Sequence, residues 1–126
     1  MELERDYFDR MCRYCSIILA SLDGQPISRS QRLLLVATAQ AANDRMTWNE
    51  DRTSLSDWGS APTVIEPVKG KVILRNLEPA NRIEVIPLNG AGEALGNTSS
   101  NQSIKADLAV SIGELATTWY LVRIQR

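Results

Sequence analysis

The sequence predicts an all-β domain, an antiparallel β-sandwich or jelly-roll-like fold of about seven to nine strands. Apolar and polar residues alternate in short segments around Val72, Val85 and Ile104, and this period of two is typical of half-buried strands. Turn signals separate the segments at roughly ten-residue spacing. The pattern shows no long crossover helix of the kind that parallel sheets require.

The chain length predicts one domain. Its 126 residues suffice to bury a single core without metals or disulfides. We predict an N-terminal extension or linker at residues 1–13 and the sandwich domain at residues 14–126. In the extension, Leu3, Tyr7 and Met11 would align on one helical face, which allows a short amphipathic helix.

Two strands and a turn are predicted to open the domain. The first strand covers residues 14–22 and ends at the turn dipeptide Asp23–Gly24. The second covers residues 31–41, whose alanine and leucine content also suits a helix. We predict a strand there because Val36 and Thr38 are β-branched.

A long polar segment, residues 43–62, follows and contains two of the three tryptophans. It shows neither helical nor alternating periodicity, and turn-forming residues occur throughout, so we predict a loop. Structureless loops longer than about 12–15 residues are usually functional or disordered. The tryptophans argue against disorder, so the segment is the first candidate for a functional site.

The remaining chain is predicted to form a meander. Residues 63–68 and 71–76 should pair as a hairpin through Lys69–Gly70, with Val72 and Leu74 facing inward. Residues 96–103 are predicted to be a polar turn. Further strands are expected at residues 82–87, 104–108 and 117–124, with Ile83, Val85 and Tyr120 buried and Trp119 on the opposite face.

Composition excludes several function classes. The formal net charge of −1 gives no basic footprint for nucleic acid, and no apolar run reaches the roughly 18 residues of a membrane span. Without histidine, triad hydrolysis and histidine-ligated zinc are excluded. We therefore predict no enzymatic activity and no nucleic-acid or membrane partner. The N-terminus lacks a signal peptide, which indicates a cytoplasmic chain or one excised from a longer secreted protein.

The sequence predicts no cofactor. Cys12 and Cys15 have CxxC spacing, but zinc needs four ligands, so we interpret them as half-buried thiols. The acids Glu50, Asp51 and Asp57 are candidates for glycosidase chemistry or for calcium, although their spacing matches no EF-hand. We favour the interpretation that they are solvated acids that cap their own turns. Calcium stays the one candidate ion, and its ligands are undetermined.

The two tryptophans of the polar segment, Trp48 and Trp58, admit two interpretations. They could be flat platforms on which sugar rings stack, with Asn49, Arg52 and Asp57 binding hydroxyl groups. Alternatively, they could fold inward as a small core that holds a long loop down. Residues alone leave both interpretations open.

Several segments together resemble a known family. They are Asn43, Met46-Thr-Trp48-Asn49, Arg52-Thr-Ser54, Trp58-Gly-Ser-Ala-Pro62, Glu66-Pro-Val-Lys-Gly70, Leu22-Asp-Gly-Gln-Pro-Ile27 and Thr118-Trp-Tyr120. The set is similar to the C-terminal non-catalytic β-sandwich domains of bacterial glycoside hydrolases, which follow a catalytic barrel. The chain departs from that pattern because it contains no barrel, and residues 1–14 have no counterpart.

The resemblance implies a function and a location. It implies a carbohydrate-binding module for plant cell-wall β-glucan, extracellular or periplasmic as part of a longer chain, with a glycoside hydrolase catalytic domain as partner. The expected ligand-binding residues are Trp48, Asn49, Arg52, Asp57, Trp58 and Trp119. The alternative is a structural accessory domain that packs on the catalytic barrel and binds no ligand, which requires buried tryptophans and an exposed apolar patch.

Overall fold

The computed structural model describes residues 2–4, 15–96, 99–104 and 107–126. Every regular element in these ranges is a β-strand and every strand pair is antiparallel, so the predicted all-β class is confirmed. The described part of the chain therefore contains no helix that could span a membrane. The strands are β1 (Glu2–Glu4), β2 (Ser16–Ser21), β3 (Arg32–Thr38), β4 (Ala41–Asp44), β5 (Thr47–Trp48), β6 (Leu55–Asp57), β7 (Ser60–Ile65), β8 (Gly70–Leu74), β9 (Ala80–Leu88), β10 (Ser99–Ile104), β11 (Leu108–Ile112) and β12 (Trp119–Gln125).

Two larger sheets form the body of the domain. One has five strands in the order β10-β9-β12-β3-β2, and the other has three in the order β1-β8-β11. One hydrophobic core contains residues of both sheets, an arrangement consistent with a β-sandwich. Its buried members are Leu33, Leu35, Ala37, Val68, Val72, Leu74, Leu77, Ala80, Ile83, Val85, Leu108, Val110, Ile112, Tyr120, Val122 and Ile124.

The period of two in the sequence explains which residues enter this core. Val72 and Leu74 are buried whereas Ile73 between them is only partly so, and Ile83 and Val85 are buried on β9, all as predicted. The segment at residues 31–41, whose composition suits a helix as well as a strand, contains strand β3. Its buried residues alternate with half-buried ones, because a strand turns successive side chains to opposite faces.

Tyr120 is held in the core by a hydrogen bond as well as by packing. The backbone N–H of Gly113 donates to its hydroxyl oxygen at 2.8 Å, and burial raises the pKa of the phenol. Trp119, the preceding residue, lies on the opposite face and is exposed. The predicted opposite orientation of these two side chains is confirmed.

The predicted hairpin through Lys69–Gly70 is wrong. Strand β7 pairs with β4, while β8 pairs with β1 and β11. All six residues of β7 are exposed, whereas Val68 is buried in the core. The chain therefore passes from the surface into the body between these strands instead of reversing there.

Two predicted loops contain strands. The segment at residues 43–62 includes β5 and β6 with parts of β4 and β7, and the predicted polar turn at residues 96–103 includes most of β10, which pairs with β9. The described chain therefore has more strands than predicted. Ile104 ends β10 and Leu108 begins β11, so the strand predicted at residues 104–108 is divided.

The N-terminal predictions fall largely outside the described residues. Glu2–Glu4 forms β1 and pairs with β8, so this part of the predicted helix is a strand. Residues 5–14, which include Cys12, lie outside the description. Cys15 is a half-buried free thiol at the edge of the core.

A single carboxylate organises the connection between β2 and β3. Asp23 Oδ2 accepts from the Gln31 N–H at 2.7 Å, and Oδ1 accepts from Ser21 Oγ at 2.8 Å and from the Gln25 N–H at 3.2 Å. These bonds favour the ionised form, and the Gln31 bond contributes most, so the pKa of Asp23 lies well below its usual range.

We expect Asp23→Asn to lower the melting temperature near neutral pH. A depressed folded-state pKa means that the ionised carboxylate stabilises the fold fully above the unfolded pKa of about 3.9, and that this contribution is lost as the pH falls below it. Thermal melts at about pH 7 and about pH 2.5 should therefore show a smaller difference between parent and variant at the lower pH. Asp51→Asn, on an exposed acid, is the control. An equal difference at both pH values would contradict the role given to Asp23.

Candidate functional site

A long hairpin, here called the arm, extends from the body between Ala41 and Ile65. Its strands β4 and β7 pair with each other, and β5 and β6 pair at its tip. None of these four strands belongs to either large sheet. The arm is therefore a separate part of the sheet pairing, and it contains five of the six predicted site residues.

Backbone and side-chain hydrogen bonds close the arm. Ala41 pairs with Ile65 at the base. The Asn43 side chain lies further along, where Oδ1 accepts from Thr63 Oγ1 at 2.7 Å and Nδ2 donates to the Trp58 carbonyl oxygen at 3.0 Å. Asn43 thus ties β4 both to β7 and to the backbone of Trp58.

Gly59 allows the two sides of the arm to approach closely. Its φ is +67°, in the left-handed region that favours glycine. An added Cβ would overlap the Asp44 carbonyl oxygen and lie 2.6 Å from the Met46 nitrogen. The register also shifts between Asn43 and Asp44. No other residue type fits this position without displacing backbone.

Asn49 closes the turn at the tip between β5 and β6. Its Oδ1 accepts from the N–H groups of Thr53 at 2.8 Å and Ser54 at 3.2 Å, and its Nδ2 donates to Thr53 Oγ1 at 2.9 Å. Arg52, at φ +55°, donates its N–H to the Asn49 carbonyl oxygen at 3.0 Å. The amide of Asn49 is therefore used by the turn and is less available to a sugar than predicted, whereas the Arg52 side chain is exposed.

Asp57 fixes the backbone on the other side of the tip. Its Oδ1 accepts from the Gly59 N–H at 2.8 Å, which makes an Asx turn around Trp58. The second carboxylate oxygen has no hydrogen bond to another described residue. The turn-capping role considered for the acids is thus seen at Asp57, which keeps one oxygen available to a ligand.

The two arm tryptophans are exposed rather than folded inward. Trp58 is 72% exposed and Trp48 is 39% exposed. Trp48 ends β5 and pairs with Leu55, and Trp58 directly follows the last residue of β6. The Trp58 backbone is held by the Asx turn before Gly59 and by Asn43. A large exposed indole therefore stands on a backbone that is fixed on both sides.

Trp119 is not part of this group. It begins β12 in the five-stranded sheet, where it pairs with Val36 and Leu88. The structure thus gathers Trp48, Asn49, Arg52, Asp57 and Trp58 in the arm and places Trp119 in another sheet.

The charges of the arm are mixed in sign. Four acids, Asp44, Glu50, Asp51 and Asp57, accompany two arginines, Arg45 and Arg52. Arg45 contacts Asp44 at 3.4 Å in an exposed ion pair of little energetic weight. Among the residues described, no group of three or more His, Cys, Asp or Glu side chains is placed to hold a metal ion.

Sequence reasoning did not identify Asn43 and Gly59 as residues that position the site. Gly59 had a local signal in the sequence. It lies two residues after Asp57, and aspartate side chains often accept a hydrogen bond from the backbone two residues on, while glycine allows a positive φ. Asn43 gave no local signal, because its partners are 15 and 20 residues away.

The chain matches no protein-family model, and no curated protein or solved structure is significantly similar to it. The resemblance to glycoside hydrolase modules thus stays a prediction based on short motifs.

Proposed function

We propose that this domain is a non-catalytic carbohydrate-binding module for β-glucan-type polysaccharide, and that the tip of the arm is its binding surface. The observation that carries the proposal is the exposure of Trp58 on a fixed backbone. Burying a large apolar side chain is worth about 1.5–3 kcal/mol, and the free protein forgoes most of this gain at Trp58. A ligand that covers the indole would recover it.

The chemistry of the tip suits a sugar. Pyranose rings present apolar C–H faces and a rim of hydroxyl groups, so a flat indole and a few polar groups complement them. Trp58 and Trp48 supply the aromatic surface, while the exposed Arg52 side chain and the second oxygen of Asp57 supply a donor and an acceptor. Such recognition needs neither a metal ion nor a strong net charge.

The proposal excludes catalysis by the arm. Most glycoside hydrolases place two carboxyl groups on opposite sides of the scissile bond. Glu50, Asp51 and Asp57 belong to one narrow hairpin tip, which supports a binding role for that surface. In this proposal the module acts outside the cell or in the periplasm, in a longer chain with a glycoside hydrolase catalytic domain.

We expect Trp58→Ala to weaken binding of cello-oligosaccharides at least tenfold in calorimetric titrations. The parent should bind with a dissociation constant between micromolar and millimolar, equivalent to about 4–8 kcal/mol, because the site is short and open. Losing the platform removes about 0.5–1.5 kcal/mol of ring contact together with the buried area. Trp48→Ala should have a smaller effect because less of its surface is exposed.

Trp119→Ala is the matched control, since it removes an exposed tryptophan outside the arm. It should leave the affinity unchanged. A parent that binds no β-glucan, or a folded Trp58→Ala variant that binds as tightly as the parent, would overturn the proposal.

One observation favours the alternative, a structural accessory domain packed on a catalytic barrel. Val64 and Ile65 on β7 are both exposed, although alternation points them to opposite faces of the arm. A neighbouring domain could cover one of these faces. The exposed Trp58 does not fit this alternative, which requires buried tryptophans, so we rank it second.

A further inference from the structure

Two arginines of the arm have a backbone conformation that arginine rarely adopts. In the described chain, three residues other than glycine have a positive φ, namely Arg45 at +58°, Arg52 at +55° and Asn76 at +60°. Asparagine tolerates the left-handed region because its short side chain can hydrogen-bond locally, whereas long side chains gain no such bond. The two arginines therefore carry backbone strain that glycine or asparagine would avoid.

Both arginines occupy turn positions that favour glycine. The Met46 N–H donates to the Asn43 carbonyl oxygen at 3.1 Å, so Arg45 is the third residue of a four-residue turn. A positive φ at this position is typical of glycine or asparagine. The Arg52 N–H donates to the Asn49 carbonyl oxygen at 3.0 Å, so Arg52 is the fourth residue of its turn, where glycine is also favoured.

Little in the described structure stabilises these two side chains. The Arg45 side chain is 82% exposed, and its ion pair with the preceding residue, Asp44, has a separation of 3.4 Å. Exposed pairs of this kind contribute little to stability. Arg52 is exposed and forms no ion pair with another described residue. Strained backbone positions occur preferentially at ligand-binding sites, so the guanidinium groups themselves are candidates for a binding role.

Each arginine directly follows an aspartate, in the dipeptides Asp44-Arg45 and Asp51-Arg52. All four residues are exposed. A guanidinium group only donates hydrogen bonds, and an ionised carboxylate only accepts them. The arm therefore presents the same combination of a donor and an acceptor twice, here called the two Asp-Arg units.

The Asp-Arg units lie close to the two tryptophans of the arm. Gly59 lies against the turn that contains Arg45, since an added Cβ would be 3.0 Å from the Arg45 carbonyl carbon, and Trp58 directly precedes Gly59. Trp48 ends β5, and Arg52 lies in the turn that joins β5 to β6. Each unit is therefore next to one indole or to the backbone that holds it.

We propose that Arg45 binds the glycan together with Arg52, and that the ligand is a neutral glycan with neighbouring hydroxyl groups. This inference rests on the proposed function and adds Arg45 to its site. A sugar hydroxyl both donates and accepts, so two neighbouring hydroxyls complement a guanidinium group beside a carboxylate. Contacts made only by the arginine side chains explain why glycine does not occupy these positions.

The charge of the arm disfavours an acidic glycan. Residues 41–65 contain four acids and two arginines, which gives a formal charge of −2. A carboxylate on a ligand bound at either arginine would meet the adjacent Asp44 or Asp51. Like charges repel within the Debye length of about 8–10 Å, so a neutral glycan fits both units better.

Replacing each arginine with glycine tests the proposal, because glycine suits the turn and removes the side chain. In calorimetric titrations with cellohexaose, Arg45→Gly and Arg52→Gly should each weaken binding about fivefold or more. Asn76→Gly is the matched control, since it changes a left-handed residue outside the arm. It should bind like the parent.

Amide hydrogen exchange separates a binding role of Arg45 from a structural one. The protection factor of the Met46 N–H, which closes the turn, should be about threefold higher in Arg45→Gly than in Arg45→Ala, since only alanine retains the strain. Both variants should lose affinity for cellohexaose. A lower protection factor in Arg45→Gly than in the parent would show that the side chain holds the turn, and would overturn the proposal.

The titrations distinguish failure of this inference from failure of the proposed function. A parent that binds cellohexaose, with glycine variants that bind it equally tightly, would overturn the role of the arginines and leave the proposed function in place. Tighter binding of an oligogalacturonide than of cellohexaose would overturn the assignment of a neutral ligand. A parent that binds neither sugar would overturn the proposed function and this inference with it.

Discussion

Replacing Gly113 with alanine is expected to lower the free energy of unfolding by about 2–5 kcal/mol. Gly113 has φ +86°, and an added Cβ would lie 2.5 Å from the Val68 carbonyl oxygen and 2.6 Å from Lys69 Cα. These neighbours are backbone and cannot rotate away. A shift of Gly113 would also disturb its hydrogen bond to Tyr120 and the core packing of that ring.

Alanine variants at two other glycines separate the cost of the left-handed φ from the cost of the steric overlap. Gly24 has φ +71° with open space around it, so Gly24→Ala should cost only the conformational term of about 1–2 kcal/mol. Gly90 has open space and no left-handed φ, so Gly90→Ala should be near neutral. Urea unfolding of the three variants provides the comparison. If Gly113→Ala were no more destabilising than Gly24→Ala, the close approach of Val68 to Gly113 would be contradicted.

Replacing Gly59 with alanine is expected to abolish glycan binding while the body keeps its melting temperature. The added Cβ would overlap the Asp44 carbonyl oxygen, and the left-handed φ adds further strain. The resulting shift would break the Asx turn and the Asn43 bond that hold Trp58. Because β4 to β7 pair only with one another, the distortion should remain in the arm.

Ser60→Ala is the matched control, since Ser60 is the next residue and is exposed. It should bind cello-oligosaccharides like the parent. A Gly59→Ala variant with parental affinity would show that the fixed backbone of Trp58 is irrelevant to binding. A large fall in its melting temperature would show instead that the arm is an integral part of the body.

The sequence predicted much of the body of the fold because one face of strands β3, β8, β9, β11 and β12 is buried. Burial forces alternation, and alternation is visible at Val72, Leu74, Ile83 and Val85 without knowledge of any partner strand. It also distinguished Tyr120 from its neighbour. Strand β3 was predicted on a different ground, its β-branched residues Val36 and Thr38, despite its helix-favouring composition.

The arm and β10 were missed because this signal is absent from them. Strand β7 is exposed throughout, so no face selects apolar residues. Its first half was therefore predicted as loop, and its second half was predicted as a strand with the wrong partner. Strand β10 is polar and lies at the end of its sheet. The false hairpin at Lys69–Gly70 has a different origin, since the partners of β8 lie far from it in sequence.

The sequence identified the segment that contains the candidate site, but not the three-dimensional arrangement of its residues. The clustering of Trp48 and Trp58 in one polar stretch was visible, whereas their exposure depends on the arm lying apart from the body. Asn49 was expected to contact sugar because of its amide, yet that amide caps the turn. Capping and ligand binding use the same chemical groups, so residue type alone does not separate them.

The fluorescence of Trp58 provides the most direct measurement of its role. A variant with Trp48→Phe and Trp119→Phe contains Trp58 as its single tryptophan, and it can be titrated with cellohexaose in the presence of acrylamide. We predict strong quenching in the free protein, because the indole is exposed, and a saturable blue shift with protection from quenching on addition of the sugar. An emission spectrum and a quenching constant that stay unchanged at millimolar sugar, in a variant that melts like the parent, would contradict the arm as a glycan-binding surface.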